Sequence, residues 1–74
     1  MNKSKFQISI VIPAFNEEKS IKDCLNSIVN QSTNLQYEVI LIDNNSKDKT
    51  VEIAKTFQGK INLRIIREGR QGRG

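Results

Sequence analysis

The chain has 74 residues, fewer than most domains, and a chain this short buries only about 60% of the surface it exposes when unfolded. It is 36% hydrophobic and 27% charged, with a net charge of +4, one cysteine and no histidine. That composition is lean but globular, and it excludes histidine general bases, histidine triads, an internal disulfide and Cys-cluster or His-ligated zinc. A single thiol, Cys24, suits a reducing compartment.

Gln7 to Pro13 (QISIVIP) is a β-branched run ended by proline, which predicts a strand buried on most of its faces. Ile21, Cys24, Leu25, Ile28 and Val29 then fall at helical spacing, predicting an amphipathic helix that ends near Asn30. Asn16 is a good N-cap for it, and Glu17 and Glu18 place negative charge where the helix dipole favours it. Cys24 reads as packing on the apolar face. Tyr37 to Ile42 (YEVILI) is nearly continuous in apolar residues, as a central parallel strand should be, and Tyr37 opens it at the end away from any site. Asp43-Asn44-Asn45-Ser46 predicts a turn into a second helix over Lys47 to Phe57, capped by Ser46 or Asp48 and stopped by Gly59. Ile61 to Ile66 carries Arg64 and reads as a strand nearer an edge.

The charge excess sits at the end of the chain. Lys3, Lys5, Lys19, Lys22, Lys47, Lys49 and Lys55 are matched by as many acids, whereas Lys60, Arg64, Arg67, Arg70 and Arg73 face Glu68 alone. Arginine presents a planar fork suited to phosphate, and a solvated basic tail is the competing reading. The four aromatic residues (Phe6, Phe15, Tyr37, Phe57) do not interleave with those arginines, so nucleic acid is not an expected partner. No run approaches the roughly 20 apolar residues of a membrane span, and the basic start lacks a signal-peptide core. The expected location is cytoplasmic, with peripheral attachment to a membrane left open.

The order β-α-β-α-β implies α/β architecture with parallel strands, right-handed crossovers and the strand order first-second-third. This is one mononucleotide-binding half of a doubly wound, three-layer α/β sheet, in which ligands bind at the carboxyl ends of the strands. The first strand should expose an apolar edge, and self-association through it is expected. Three loops should meet at the carboxyl ends: Pro13 to Glu17, Asp43 to Ser46, and Arg67 to Arg70.

The first loop has no glycine, so neither GxGxxG nor GxxxxGK[ST] is present. Glu17 and Glu18 would repel a pyrophosphate and suit hydroxyl or base N–H groups. Asp43 can accept a hydrogen bond from such a ligand or simply cap the following turn. Phe15 is either a core plug or a pocket wall. Asp48 and Thr50 read as first-turn helix stabilisers, and Arg70 and Arg73 as diphosphate contacts or tail.

In order and spacing, ISIVIPAFNEE, EVILIDNNSKDKT and GRQGRG resemble the opening segment of family 2 glycosyltransferases with the GT-A (Rossmann-like) fold, typically (V)SVIIPxYNEE, (E)(I)(I)VVDDGSxDxT and a glycine-rich basic stretch. The likeness runs from about Ile8 to Gly74. It implies transfer of a sugar from a UDP- or GDP-type donor to a lipid, polysaccharide or protein acceptor, the acceptor being unspecified. It also implies that Pro13, Ala14 and Phe15 line the nucleoside pocket, partly through backbone. Glu17 would lie by the ribose or base, Asp43 would bond the base edge, and Arg70 and Arg73 would lie near the diphosphate.

Two departures stand out. The family's DDGS is Asp43-Asn44-Asn45-Ser46 here, without the second acid and the glycine. The family's metal-binding DxD and catalytic base, which would use Mg²⁺ or Mn²⁺ and deprotonate the acceptor, have no counterpart in these residues. The chain is therefore expected to be the N-terminal fragment of a single GT-A domain, residues 1–74, with a flexible start at 1–6 and a glycine/arginine-rich loop at 69–74. On this reading it binds a nucleotide sugar, holds no metal or catalytic residue of its own and is inactive alone. The alternative is a short non-catalytic nucleotide-binding or dimerisation module.

Overall fold

The computed structural model describes residues 6–31 and 34–69; Arg70 and Arg73, with most of the glycine-rich segment, lie outside the described residues. The elements are β1 (Ile8–Ala14), α1 (Ile21–Val29), β2 (Tyr37–Asp43), α2 (Thr50–Lys55) and β3 (Leu63–Arg67). All strands are parallel and the sheet order is β1-β2-β3, as the sequence predicts.

The register sorts the side chains into rows. Successive strand residues point to opposite faces, so Ile10–Val39–Leu63, Ile12–Leu41–Ile65 and Ala14–Asp43–Arg67 form three rungs on one face. Both right-handed crossovers place their helices over that face. There Ile21 and Leu25 of α1, Ala54 of α2 and Phe57 just after it close a core with Ala14, Val39, Leu41 and Leu63. The first two rungs are apolar. The third begins with Ala14 and continues with two charged residues, and it lies at the carboxyl edge.

The other face bears no helix among the described residues. It presents Val11, Pro13, Ile40, Ile42 and Ile66, with a polar end where the Ser9 hydroxyl donates to Glu38 at 2.6 Å. Val11 is 54% exposed. This corrects the expectation for the first strand: β1 is an edge strand and stays largely exposed, because only its helix-facing residues find partners. Cys24 is also exposed rather than packed, since it falls beside the stripe that buries Ile21 and Leu25.

Both helices are shorter than predicted. Backbone amides of Ser20 and Ile21 fold onto the Glu17 carbonyl in a turn before α1, so Ser20, not Asn16, occupies the N-cap position. Asn16 instead adopts a left-handed φ of 50°, a conformation asparagine tolerates, and its side chain turns elsewhere. Helix α2 ends at Lys55 with Thr56 as its C-cap, and Gly59 does not supply a left-handed stop.

Replacing Leu41, fully buried in the central strand, by alanine should cost about 2–5 kcal/mol. Val11→Ala on the uncovered face should cost well under half as much. Urea midpoints of the two variants check the order.

Candidate functional site

The third rung places a carboxylate where three loops converge. Asp43 ends β2, is wholly buried, and pairs in register with Ala14 on one side and Arg67 on the other. One oxygen, Oδ2, accepts the Ser46 amide at 3.1 Å and lies 3.4 Å from Arg67 Nε. The other, Oδ1, is buried and has no hydrogen-bond partner among the described residues. A buried polar atom left in that state costs roughly 1–3 kcal/mol, which makes it a place where a ligand donor would bring a gain.

Arg67 reaches further into the same loop. Its Nη2 donates to the Ser46 carbonyl at 3.1 Å, so one guanidinium spans the carboxylate and the backbone of the turn that follows it. The backbone adds ties between strands: the Asn44 amide donates to the Ala14 carbonyl at 2.8 Å, and the Glu68 amide to the Asp43 carbonyl at 2.7 Å.

The first and second loops are laced together by hydrogen bonds in both directions. The Asn16 amide donates to the Ser46 hydroxyl at 2.8 Å, and the Lys47 amide returns a bond to Asn16 Oδ1 at 2.8 Å. The Glu17 amide donates to Thr50 Oγ1 at 2.7 Å, and the Thr50 hydroxyl donates to Asp48 Oδ1. The Glu18 amide donates to Asp48 Oδ2 at 3.2 Å, while the Lys49 amide donates to Glu18 Oε1 at 2.9 Å. Five amide protons are satisfied across the gap, four of them by the short side chains of Asn16, Ser46, Asp48 and Thr50 and one by Glu18, which explains the run of Asn, Ser, Asp and Thr in these loops.

Asp48 is the hub of this lacing. Desolvation pushes its carboxyl up, but bonds from the Thr50 hydroxyl and amide and from the Glu18 amide outweigh that and hold it below the usual aspartate range. It also takes the Thr50 amide at 2.9 Å, the helix-stabilising role the sequence suggests.

The structure gathers Pro13, Ala14, Phe15, Glu17 and Asp43 at one edge of the sheet, on the ends of β1 and β2 and the first loop. Their environments differ. Ala14 packs its methyl into the core and has only backbone to offer, while Pro13 and Glu17 are exposed. Phe15 is 47% exposed, so it is not a core plug. A shallow pocket of about 220 Å³ touches Pro13, Ala14 and Glu17 together with Ser20 and Cys24. Sequence reasoning put Arg67 in the third loop at this edge without assigning it a contact, and read Ser46 as turn or cap chemistry, missing that both meet Asp43. Counting register from the two strand ends would have placed Arg67 beside Asp43.

Comparison with known proteins agrees with this architecture. The sequence model of the family described as "Glycosyl transferase family 2" matches residues 9–74. The chain belongs to that family. It is 41% identical over 66 residues to the glycosyltransferase AglE of Haloferax volcanii, covering 86% of this chain and 22% of that protein. A crystal structure of residues 1–349 of TarS from Staphylococcus aureus superposes with a TM-score of 0.84 at 31% identity, over 90% of this chain and 20% of that one. The same TarS region in complex with UDP-GlcNAc superposes with a TM-score of 0.82 at 31% identity, over 86% of this chain and 19% of that one. The fold is thus the GT-A, Rossmann-like one, and the chain spans about a fifth of the length of these relatives.

Thr50→Val removes the acceptor of the Glu17 amide and should cost about 1–3 kcal/mol in denaturant unfolding. The depressed carboxyl of Asp48 gives a second test. Its contribution is present above the ordinary aspartate value and is lost as pH falls through the lower folded-state value. Asp48→Asn should therefore be less stable than the parent at neutral pH and should lose less stability on acidification below about pH 4. Urea titrations across that range check both.

Proposed function

We propose that this chain is the donor-binding portion of a glycosyltransferase that uses a nucleoside-diphosphate sugar. The observation that carries the reading is the buried, unpartnered Asp43 Oδ1 at the meeting point of three loops. An ionised carboxylate only accepts hydrogen bonds, so its natural complement is an N–H or O–H. The imide N–H of uracil and the ring N–H of guanine both qualify. Cytosine and adenine present lone pairs at the corresponding ring nitrogens and do not.

The surroundings support the same assignment. Phe15 is exposed beside the rim and can wall a base, while the Pro13 and Ala14 backbone forms the floor of the first loop. Glu17 is an acceptor suited to ribose hydroxyls. The cations that would meet a diphosphate are Arg70 and Arg73, in the basic end of the sequence. In sugar transfer the acceptor oxygen bonds to the anomeric carbon as the bond from that carbon to the diphosphate breaks. The residues described here hold and orient the leaving nucleotide.

The divalent ion that the family resemblance implies does not fit these residues. Among the described residues no three Asp, Glu, His or Cys side chains converge, and Asp43 already gives one oxygen to Arg67 and Ser46. We place any metal ligands and the acceptor's base in other parts of the whole protein, and the 74 residues alone should transfer no sugar.

The test is calorimetric titration of UDP and GDP against the whole protein. One of the two should bind, and Asp43→Ala should weaken it about tenfold or more, the worth of a hydrogen bond to a charged group. Undiminished affinity in Asp43→Ala would falsify the assignment of the base site.

A further inference from the structure

The geometry points to Arg67 as the positioning residue of the base-reading carboxylate: it engages one oxygen of Asp43 and leaves the other, buried in this structure, as the acceptor for the nucleotide. This rests on the reading of Asp43 given above and adds to it a residue that neither the sequence pattern nor the family likeness singles out.

Three observations carry it. First, the sheet places Arg67, since its Cα pairs in register with that of Asp43 and the Glu68 amide is bonded to the Asp43 carbonyl. Its approach to the carboxylate therefore starts from strand backbone and not from a loose loop. Second, Arg67 approaches only one side of the carboxylate. An arginine that simply neutralised or covered Asp43 would be expected to use its fork on both oxygens. Here Nε lies by Oδ2, the oxygen that also takes the Ser46 amide, and Nη2 is directed to the Ser46 carbonyl. Oδ1 is left out of every one of these contacts. Third, the pair of anchors sets the rotation of the carboxylate. Oδ2 accepts one hydrogen bond, from the Ser46 amide, and is ion-paired with Arg67, so both contacts favour the orientation that leaves Oδ1 free of protein partners among the described residues.

The consequence is selectivity as well as affinity. A carboxylate held in one rotamer rewards a base with an N–H at one point and penalises a lone pair there. A carboxylate released from Arg67 can rotate and find other donors, and the penalty on the wrong base shrinks. Lysine would keep the charge but could not span Asp43 and the Ser46 carbonyl with a planar fork.

The test uses the whole protein and whichever of UDP and GDP it binds more tightly, with CDP or ADP respectively as the mismatched base and inorganic pyrophosphate as the base-free probe. Arg67→Gln should weaken the preferred nucleotide about tenfold or more and reduce its advantage over the mismatched one. Pyrophosphate binding should not change, and Arg67→Lys should fall between. In an Asp43→Asn background Arg67→Gln should have little further effect, because the two residues act as a unit. Arg64→Gln, an equal change of charge on the opposite face of β3, should behave as the parent. Unchanged nucleotide affinity in Arg67→Gln overturns the inference, and so does tighter binding, which would make Arg67 a cover for Asp43. An equal loss for nucleotide and pyrophosphate also overturns it, by making Arg67 a phosphate contact. If Asp43→Asn itself binds as the parent does, the donor-site reading fails first and this inference with it. If Asp43→Asn is weakened and Arg67→Gln is not, only the inference fails.

Discussion

Everything at the candidate site depends on the parallel register that ends in the row Ala14–Asp43–Arg67. In a parallel sheet the strand ends align on one edge, and the side chains of one row share a face. The two rungs beneath this row are apolar and packed under both helices. The row itself substitutes a carboxylate and a guanidinium at the point where the core meets the loops. Asp43 is consequently buried like a core residue while standing at the carboxyl edge of the sheet.

Burial of that kind is tolerable only where the surroundings supply donors. The Ser46 amide and the Arg67 ion pair engage one oxygen, and the second has no hydrogen-bond partner among the described residues. The lacing between the first and second loops is the companion device. Without regular structure, both loops would leave amide groups unpaired, and Asn16, Glu18, Ser46, Asp48 and Thr50 pair them across the gap. The outcome is a rim whose geometry is set by hydrogen bonds between residues about thirty apart in sequence.

The uncovered features of the sheet fit the short span of the chain. Among the described residues one face carries Val11, Ile40, Ile42 and Ile66 without helices over them, and β1 is an edge strand. The match covers 22% of AglE and a fifth of residues 1–349 of TarS. The two helices close a core on one face, and among the described residues no helix packs on the other.

Local pattern determined the elements. Alternating and continuous apolar runs specify three strands, helical spacing around Leu25 and Ala54 specifies two helices, and short crossovers force parallel pairing in the order found. The position of Asp43 at the end of a buried strand was legible for the same reason. What only the tertiary structure decided are contacts between segments far apart in the chain. Asn16 looks like a helix cap because a cap is the nearest local use for it, yet it bonds Lys47 in the next loop, thirty-one residues away. Phe15 and Cys24 look like core by composition, but their burial depends on what faces them, and here little does. Arg67 is legible only as one of the terminal cations at the start of the third loop. Its role arises from lying beside Asp43 across two strands, a relation that sequence encodes only through register and that the fold alone makes physical.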